Sequence, residues 1–422
     1  MIKTKATIFA VFTAVVPNMF MAAHGSELNV SYVGASVTRP VHEAIARGFM
    51  NENPGITVNL FPSNHADYRD HVNSMLRETM IGGRLPDIAF EGYHAAPTYV
   101  ERGIARPLDQ FVPNSNVLED LGLGSFTYQM GLVDGQFIGM PWAVSSPAVY
   151  FNTELVESVG GSPDSLPMDW DGIISLASEI DIGPATGIYF DYQLTDNFLF
   201  VALLQSLGAN LLSDDESEVG FDSEIGLKAL QVLRTIGEAG QVDMSRNQAL
   251  AAFSAGSIGV LVTSTSYLGN VTELAEEEAS VSTGPFPIPS TDGHVPAGGN
   301  IGLIFARDSE TQEIAWRYLQ YATSPHVQNT LARETGYMPV SAEAINDPQL
   351  LGNFYIENPN YRIAASQLPR SSRFQVFTGR HAAEASAIVQ EHIRSVITLK
   401  RTPEQVLPEL VQDVTAVLRD SE

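Results

Sequence analysis

The segment ELNVSYVGASVTRPVHEAIARGFMNENPGITVNLFP, residues 27–62, carries the pattern that decides the fold class. Apolar residues alternate from Leu28 to Tyr32, which predicts a strand, and recur at helical spacing from Arg39 to Asn51. Pro54 and Gly55 end this helix, and a second strand is predicted from Ile56 to Phe61. A strand, a helix and a strand in this order are typical of a parallel sheet with helices on its faces.

The next segment repeats this β-α-β pattern. A helix is predicted from about Asp67 to Thr79, a stop at Gly82 and Gly83, and a strand at DIAF, residues 87–90. Ligands of such sheets bind at the carboxyl ends of the strands. The polar side chains that follow DIAF are therefore candidate ligand contacts, namely Glu91, Tyr93 and His94.

The chain has 422 residues, which is long enough for two domains. A second α/β region follows the first, with a strand leading into helices from residue 150 and a helix of almost wholly apolar residues at 197–212. A further helix, a glycine turn and a strand occupy residues 249–265. The sequence thus predicts two α/β units.

Charge and composition exclude several functions. The 49 acidic and 23 basic residues give a formal net charge of -26, which disfavours binding to nucleic acid or to an anionic membrane. The absence of cysteine excludes disulfides, thiol catalysis and thiolate metal sites. His65 and His71 are six residues apart, which is not the spacing of a helical metal-ligand pair.

No motif for catalysis or for a cofactor is present. The sequence has no GxSxG elbow, no P-loop and no dinucleotide-binding fingerprint. We therefore expect no cofactor, no metal and no enzymatic activity. A secreted glycoside hydrolase or lyase stays open as the alternative, because two carboxylates brought together from distant positions are all that such an enzyme needs.

The N-terminus has the pattern of a secretory signal peptide. Lys3 and Lys5 precede an apolar run from Ala6 to Val16, which is too short to span a bilayer. Cleavage after Ala23 or after Gly25 fits the small residues there. We therefore expect residues 1–25 to be removed, and a periplasmic protein without a lipid anchor, since no cysteine follows the cleavage site.

Four motifs in this order resemble the family 1 extracellular solute-binding proteins of ABC importers, the group that contains the maltose- and glycerol-3-phosphate-binding proteins. They are LPDIAFEGYHAAPTYVERGIARPLD at 85–109, GMPWAVSSPAVYFNTELVE at 139–157, AGGNIGLIF at 297–305 and TGYMPVS at 335–341. The resemblance covers the chain from Glu27 to about Leu418. It implies a monomer that delivers a small solute to the membrane subunits of an ABC permease.

The resemblance also implies a fold of the type II periplasmic-binding-protein kind, in which two α/β lobes share a hinge of several segments with the ligand cleft between them. The first crossing would lie at 139–157, the second near Val295 to Asn300 and the third near Asp308 to Ile314. Residues 26–144 and 296–313 would then form the first lobe, and residues 145–295 and 314–422 the second.

Polar and aromatic side chains near the predicted cleft are the candidate ligand contacts. Besides the three residues after DIAF, they are Tyr68, Trp142, Ser145, Tyr192, Asp196, Ser264, Tyr267, Gly298, Gly299, Tyr337 and Arg373. Alternative roles stay open for several of them: Ser145 could cap a turn, and Tyr337 could be an aromatic residue of a surface turn. Aromatic residues in strands also serve as core, Asp196 could cap a helix, and the glycines could form a β-bulge.

The same side chains suit a carbohydrate, because aromatic rings cover sugar faces while polar groups bind the hydroxyls. Four arginines complicate this choice, since guanidinium groups also bind phosphate. They are Arg362, Arg370, Arg373 and Arg380. We expect a mono- or oligosaccharide as the ligand, with glycerol 3-phosphate or a glycerophosphodiester as the alternative.

Overall fold

The computed structural model describes residues 26–63, 68–112, 122–213, 215–275, 281–379 and 381–419. The predicted signal peptide, Arg380 and the side chain of Tyr68 lie outside this description. Among the helices it contains, none has the length and apolarity that a membrane span requires.

Thirteen labelled strands carry the description that follows. They are β1 (Ser26–Tyr32), β2 (Ile56–Pro62), β3 (Ile88–Gly92), β4 (Leu132–Val133), β5 (Gln136–Phe137), β6 (Gly139–Ser145), β7 (Pro147–Asn152), β8 (Thr186–Phe190), β9 (Ile258–Ser264), β10 (Val281–Pro285), β11 (Val295–Ile304), β12 (Met338–Pro339) and β13 (Ser371–Arg373).

The α-helices are numbered in the same way. They are α1 (Ala35–Glu52), α2 (Tyr68–Met80), α3 (Ala96–Glu101), α4 (Ser125–Met130), α5 (Thr153–Ser158), α6 (Trp170–Asp181), α7 (Phe198–Leu207), α8 (Glu224–Glu238), α9 (Arg246–Ser254), α10 (Leu268–Ala275), α11 (Ser309–Ala322), α12 (Pro325–Glu334), α13 (Ala342–Asn346), α14 (Asn353–Glu357), α15 (Ile363–Gln367), α16 (Ala382–Ile397) and α17 (Pro403–Arg419).

The described strands form two main sheets with separate cores, so the protein has the predicted two α/β lobes. The first sheet has the order β12-β6-β11-β3-β1-β2, and β13 pairs with the start of β11. As predicted, β1 is parallel to both β2 and β3. The sheet is mixed rather than parallel throughout, because β11 runs antiparallel between β3 and β6. The second sheet, β10-β7-β9-β8, is also mixed.

The first crossing lies at Ser146, between β6 of the first sheet and β7 of the second. Side chains from the second lobe and from α15 hold it. Thr265 accepts a hydrogen bond from the Ser146 backbone amide at 3.1 Å, and Gln367 donates to the Ser146 hydroxyl at 2.8 Å. This crossing falls within the stretch 139–157 that the sequence indicated.

The second crossing is β11, near the predicted position. Its first residue, Val295, belongs to the core of the second lobe, while Ala297 and Ile304 belong to the core of the first. One continuous strand therefore joins the two lobes. A register shift between Asn300 and Ile301, opposite β6, marks a β-bulge beside the two predicted glycines.

The residues after 313 do not all pack where the sequence placed them. The boundary at 313/314 cuts through α11, and the apolar face of this helix, including Ala315, Tyr318 and Leu319, is buried in the core of the first lobe. Met338 in β12 pairs with Val144 of the same sheet. The third connection therefore lies after Pro339, not near 308–314. The amphipathic pattern of α11 predicted its buried face but not the sheet that it covers.

Candidate ligand-binding site between the lobes

The segment that follows β13 lies between the two lobes and is the centre of the site. Arg373 pairs with Ala297 of β11 in the parallel β11–β13 ladder, which fixes the position of the next residue, Phe374. The Phe374 ring lies edge-on to Phe198, with centroids 5.0 Å apart, and edge-on to His94 at 5.9 Å. Phe198 opens α7 of the second lobe and His94 follows β3 of the first, so Phe374 contacts both lobes.

Three cavities surround this segment, and each has walls from both lobes. The first, of about 190 Å³, is mostly apolar and is called the apolar cavity here; its lining includes Tyr93, Phe126, Met130, Leu132, Arg373 and Phe374. The second, of about 200 Å³, is the polar cavity, with His94, Gln205, Asn210, Glu216, His294 and Arg373 in its lining. Ring faces and hydrogen-bonding groups therefore lie side by side along the lobe boundary.

The third cavity, of about 220 Å³, lies between α2 and α3 of the first lobe and the start of α16 of the second. Here His94 Nε2 lies 3.4 Å from Asp196 Oδ2. The Asp196 carboxylate is almost fully buried and the His94 imidazole is mostly buried. The contact joins the lobes directly, because His94 follows β3 and Asp196 lies in the turn before α7.

Four of the predicted contacts thus meet at the lobe boundary. They are Tyr93, His94, Asp196 and Arg373. The strand-end argument explains the first two, since the short 3₁₀ turn Tyr93–Ala95 directly follows β3. Burial raises the pKa of the Tyr93 phenol well above its ordinary value, so this side chain is a neutral hydrogen-bonding group at every physiological pH.

Ser145 and the two glycines lie together at the crossings. A Cβ atom on Gly298 would lie 2.9 Å from Ser145 Oγ and 3.1 Å from a ring carbon of Phe198. Glycine is therefore the residue that lets β11 pass between these two side chains. Gly299 has φ 118°, a conformation that side-chain-bearing residues rarely adopt.

Glu91 points into the first lobe and is absent from the linings of the three cavities. Its carboxylate is fully buried, with Oε1 2.8 Å from Nε2 of His71. Burial raises the pKa of Glu91, and the hydrogen bond from His71 partly opposes that rise. The structure places Glu91 in an internal pair with His71, two residues before the turn Tyr93–Ala95.

Trp142 is also a core residue. It is 1% exposed and stacks on the His42 imidazole, with ring centroids 4.5 Å apart. The prediction of ligand contact for Trp142 has no support from this position, and its alternative, an aromatic of the core, describes it. Every residue of β6 is buried, so alternation along the strand could not show which side chains face the cleft.

Tyr192 and Tyr267 belong to a polar network inside the second lobe. The Tyr192 hydroxyl donates to Asp243 Oδ1 at 2.5 Å, and burial raises the pKa of Tyr192 to about 12. Arg246 donates to the Tyr267 hydroxyl at 3.3 Å and forms an ion pair with Asp191 at 2.7 Å. Both tyrosines are thereby fixed in the second lobe, away from the three cavities.

Ser264 and Tyr337 lie at the contact between the turn after β9 and the loop before β12. Ser264 shares a hydrogen bond of 2.9 Å with the Ser266 hydroxyl. Gly336 lies so close to the Thr265 carbonyl oxygen that a side chain there would collide with it. Tyr337, 6% exposed, packs in the core of the first lobe. Tyr68 begins α2, and its side chain lies outside the described residues.

Sequence reasoning missed several residues of the site. Phe374, the central aromatic, follows Arg373 directly in SSRFQVF, and this adjacency to a predicted contact was the signal that could have identified it. Phe126, Gln205 and His294 carry no such signal, because they come from segments far apart in the chain. In the described part of the chain, no group of three His, Asp or Glu side chains could hold a metal ion.

The arrangement of two α/β lobes around a candidate interlobe site is the architecture that the sequence resemblance implied for a solute-binding protein. The chain belongs to the bacterial extracellular solute-binding protein family, whose model matches residues 44–361. The predicted resemblance to the family 1 binding proteins of ABC importers is thereby confirmed.

Relatives and solved structures agree with this membership. A putative binding protein of Brucella abortus strain 2308 is 24% identical over 398 residues, covering 90% of each chain. The sn-glycerol-3-phosphate-binding periplasmic protein UgpB of Escherichia coli strain 536 is 23% identical over 334 residues, covering 76% of this chain and 74% of that protein.

Two solved structures show the same fold. UgpB from Mycobacterium tuberculosis in complex with glycerophosphocholine superposes with a TM-score of 0.78 at 18% identity, covering 92% of this chain and 98% of that chain. The acarbose-binding GacH receptor of Streptomyces glaucescens GLA.O has a TM-score of 0.77 at 16% identity, covering 94% and 100%.

Proposed function

We propose that this protein binds a carbohydrate between its lobes and delivers it to the membrane subunits of an ABC importer. The observation that carries the proposal is the lining of the two cavities around Phe374. Tyr93, Phe126 and Phe374 offer ring faces, and Gln205, Asn210 and Arg373 offer hydrogen bonds beside them. A sugar needs both kinds of contact, since its rings have apolar faces and a polar rim.

A phosphorylated polyol is the second candidate, and Arg373 is the observation that favours it. This guanidinium borders both the apolar and the polar cavity in a protein of net charge -26. Arg370 donates to the backbone carbonyls of Ser290 and Gly293, so it is committed to holding a loop. Arg362 is exposed outside the three cavities. Of the described candidate arginines, Arg373 is the one placed to bind an anionic ligand.

A thermal-shift screen distinguishes the two ligands, because a ligand bound only by the native state raises the melting temperature. We expect sugars to raise it and glycerol 3-phosphate to leave it unchanged. A shift with glycerol 3-phosphate, and none with any sugar, would replace the first candidate by the second.

Variants then locate the ligand. Phe374→Ala and Arg373→Gln should each weaken the affinity for the solute found in the screen by about tenfold or more. Arg362→Gln is the matched control and should leave the affinity unchanged. Full affinity in both Phe374→Ala and Arg373→Gln would remove the proposed cavities from the site.

The remaining features of the proposed function follow from the sequence. We infer secretion to the periplasm through removal of residues 1–25, a monomeric state, and neither catalysis nor nucleic-acid binding. Incubation with oligosaccharides tests the main distinction. The solute should be recovered unaltered, whereas a cleaved product would favour the glycoside hydrolase or lyase alternative.

A further inference from the structure

His94 and Asp196 were candidate ligand contacts, but the structure brings them together across the lobe boundary. His94 Nε2 and Asp196 Oδ2 are 3.4 Å apart, with 15% and 4% of the two side chains exposed. The Phe374 ring lies edge-on to the imidazole, and both side chains line the polar cavity. Partial removal from water strengthens an ion pair relative to one on the open surface.

The backbone around Asp196 is arranged to present its carboxylate to the first lobe. Asp196 and the next residue, Asn197, both have left-handed conformations, with φ 52° and 59°. The side-chain amide of Asn197 donates to the Ser386 carbonyl at 3.0 Å, and the Ser386 hydroxyl donates to Asp196 Oδ1 at 3.3 Å. Two consecutive left-handed residues other than glycine are uncommon and concentrate at functional positions.

We propose that the His94–Asp196 pair is a latch that stabilises the closed arrangement of the two lobes without any ligand. Opening the lobes separates the pair and exposes both groups to water. Because the pair is a full ion pair only when His94 is protonated, the latch is stronger at acidic than at alkaline pH. This inference goes beyond the proposed function, since it concerns the empty protein.

Other titratable groups near the pair could also respond to pH. The cavity that holds it is bordered by Glu101 and Arg102, and the polar cavity on the other side of His94 by Glu216, His294 and Arg373. His381, directly before α16, pairs with Glu384 at 3.1 Å, and His71 on α2 pairs with Glu91. Variants of the pair itself are therefore needed to assign a pH effect to it.

The experiment measures the distance between two spin labels in the ligand-free protein. The chain has no cysteine, so Met80→Cys and Ala387→Cys introduce single labelling sites. Both residues are exposed, one on α2 of the first lobe and the other on α16 of the second, and these two helices border the cavity that holds the pair. Pulsed electron–electron double resonance then gives the distribution of distances between the two labels, and from it the fractions of open and closed protein.

We expect the ratio of closed to open protein to be about fivefold higher at about pH 5.5 than at about pH 8.5. His94→Gln and Asp196→Asn should each abolish this pH dependence, and the double variant should add nothing further. The control His381→Gln, which removes a pair within the second lobe, should retain it. A pH dependence that survives in both single variants, or no pH dependence in the parent protein, would overturn the proposal.

Discussion

At the scale of single residues, His42 is one of several polar side chains buried in the described part of the chain. His42 on α1 is wholly buried between Tyr32 and Trp142, with ring centroids 4.1 Å and 4.5 Å away. Burial lowers the pKa of His42 to about 3, because the imidazolium would lose its hydration. The folded protein therefore keeps this imidazole neutral under ordinary conditions.

Acid should destabilise the protein through His42. The unfolded chain binds a proton at this residue below about pH 6.5, while the folded protein does not until about pH 3, so stability is lost as the pH falls between these values. The loss is on the order of 5 kcal/mol over that whole range. Urea unfolding at several pH values measures it.

His42→Phe should remove this contribution and flatten the dependence of the unfolding free energy on pH. The control is His381→Phe. It also removes a histidine, but the His381 imidazole is partly exposed and pairs with Glu384 instead of being buried in the core. An unchanged pH slope in His42→Phe would show that this residue is not the source.

A second prediction at the scale of single residues concerns Gly299. It has φ 118°, and a Cβ atom there would collide with the carbonyl oxygen of Ala143 on β6. Gly55 has a similar φ of 101° with no atom near the position of a Cβ. Comparison of the two alanine variants therefore separates backbone strain from the close approach of two strands.

Gly299→Ala should lower the free energy of unfolding by at least about 2 kcal/mol more than Gly55→Ala does. Chemical denaturation of the two purified variants gives both values. Equal losses would mean that β6 moves aside freely and that the crossing strand is not tightly fixed.

At the scale of elements, the hinge depends on side chains as well as on strands. Gln367 at the end of α15 is buried and donates to the Ser146 hydroxyl and the Pro147 carbonyl, each at 2.8 Å. The side-chain carbonyl oxygen of Gln367 accepts a hydrogen bond from the Phe286 backbone amide at 2.9 Å. One side chain thus ties the first crossing to α15 and to the residue after β10.

Gln367→Leu should lower the free energy of unfolding by about 3 kcal/mol, since it leaves three buried polar groups without this partner. Ser366→Ala, next to it in the chain and exposed, should cost less than about 0.5 kcal/mol. A loss in Gln367→Leu no larger than in Ser366→Ala would show that backbone pairing alone holds the crossing.

The elements of the fold could largely be predicted from local sequence. The predicted strand at 56–61 is β2 (Ile56–Pro62), and the predicted helix from about 67 to 79 is α2 (Tyr68–Met80). Periodicity and Pro-Gly stops determine such elements locally. The assignment of α11 to a lobe could not be predicted in this way, because an amphipathic face fits either sheet and the choice depends on contacts distant in sequence.

The site was harder to predict for a related reason. The rule that ligands meet strand ends identified Tyr93 and His94, which follow β3. It could not distinguish Glu91, two residues before Tyr93 on the fully buried β3, from a ligand contact. The side chains of this site converge from the turn after β3 and from α4, α7 and β13, and no spacing in the sequence records that convergence.

At the scale of the whole molecule, the two lobes form the candidate site together. Each cavity has walls from both lobes, so lobe separation would dismantle the site and lobe closure would complete it. The proposed function therefore predicts that binding and closure are linked, because a ligand that touches both lobes stabilises the closed arrangement.

A crystal structure of the protein with the solute that raises its melting temperature most is the most direct test of this account. The account predicts density for the unaltered solute between the lobes, in contact with Phe374 and Arg373. A solute bound outside the lobe boundary, or density for a cleaved product, would contradict it.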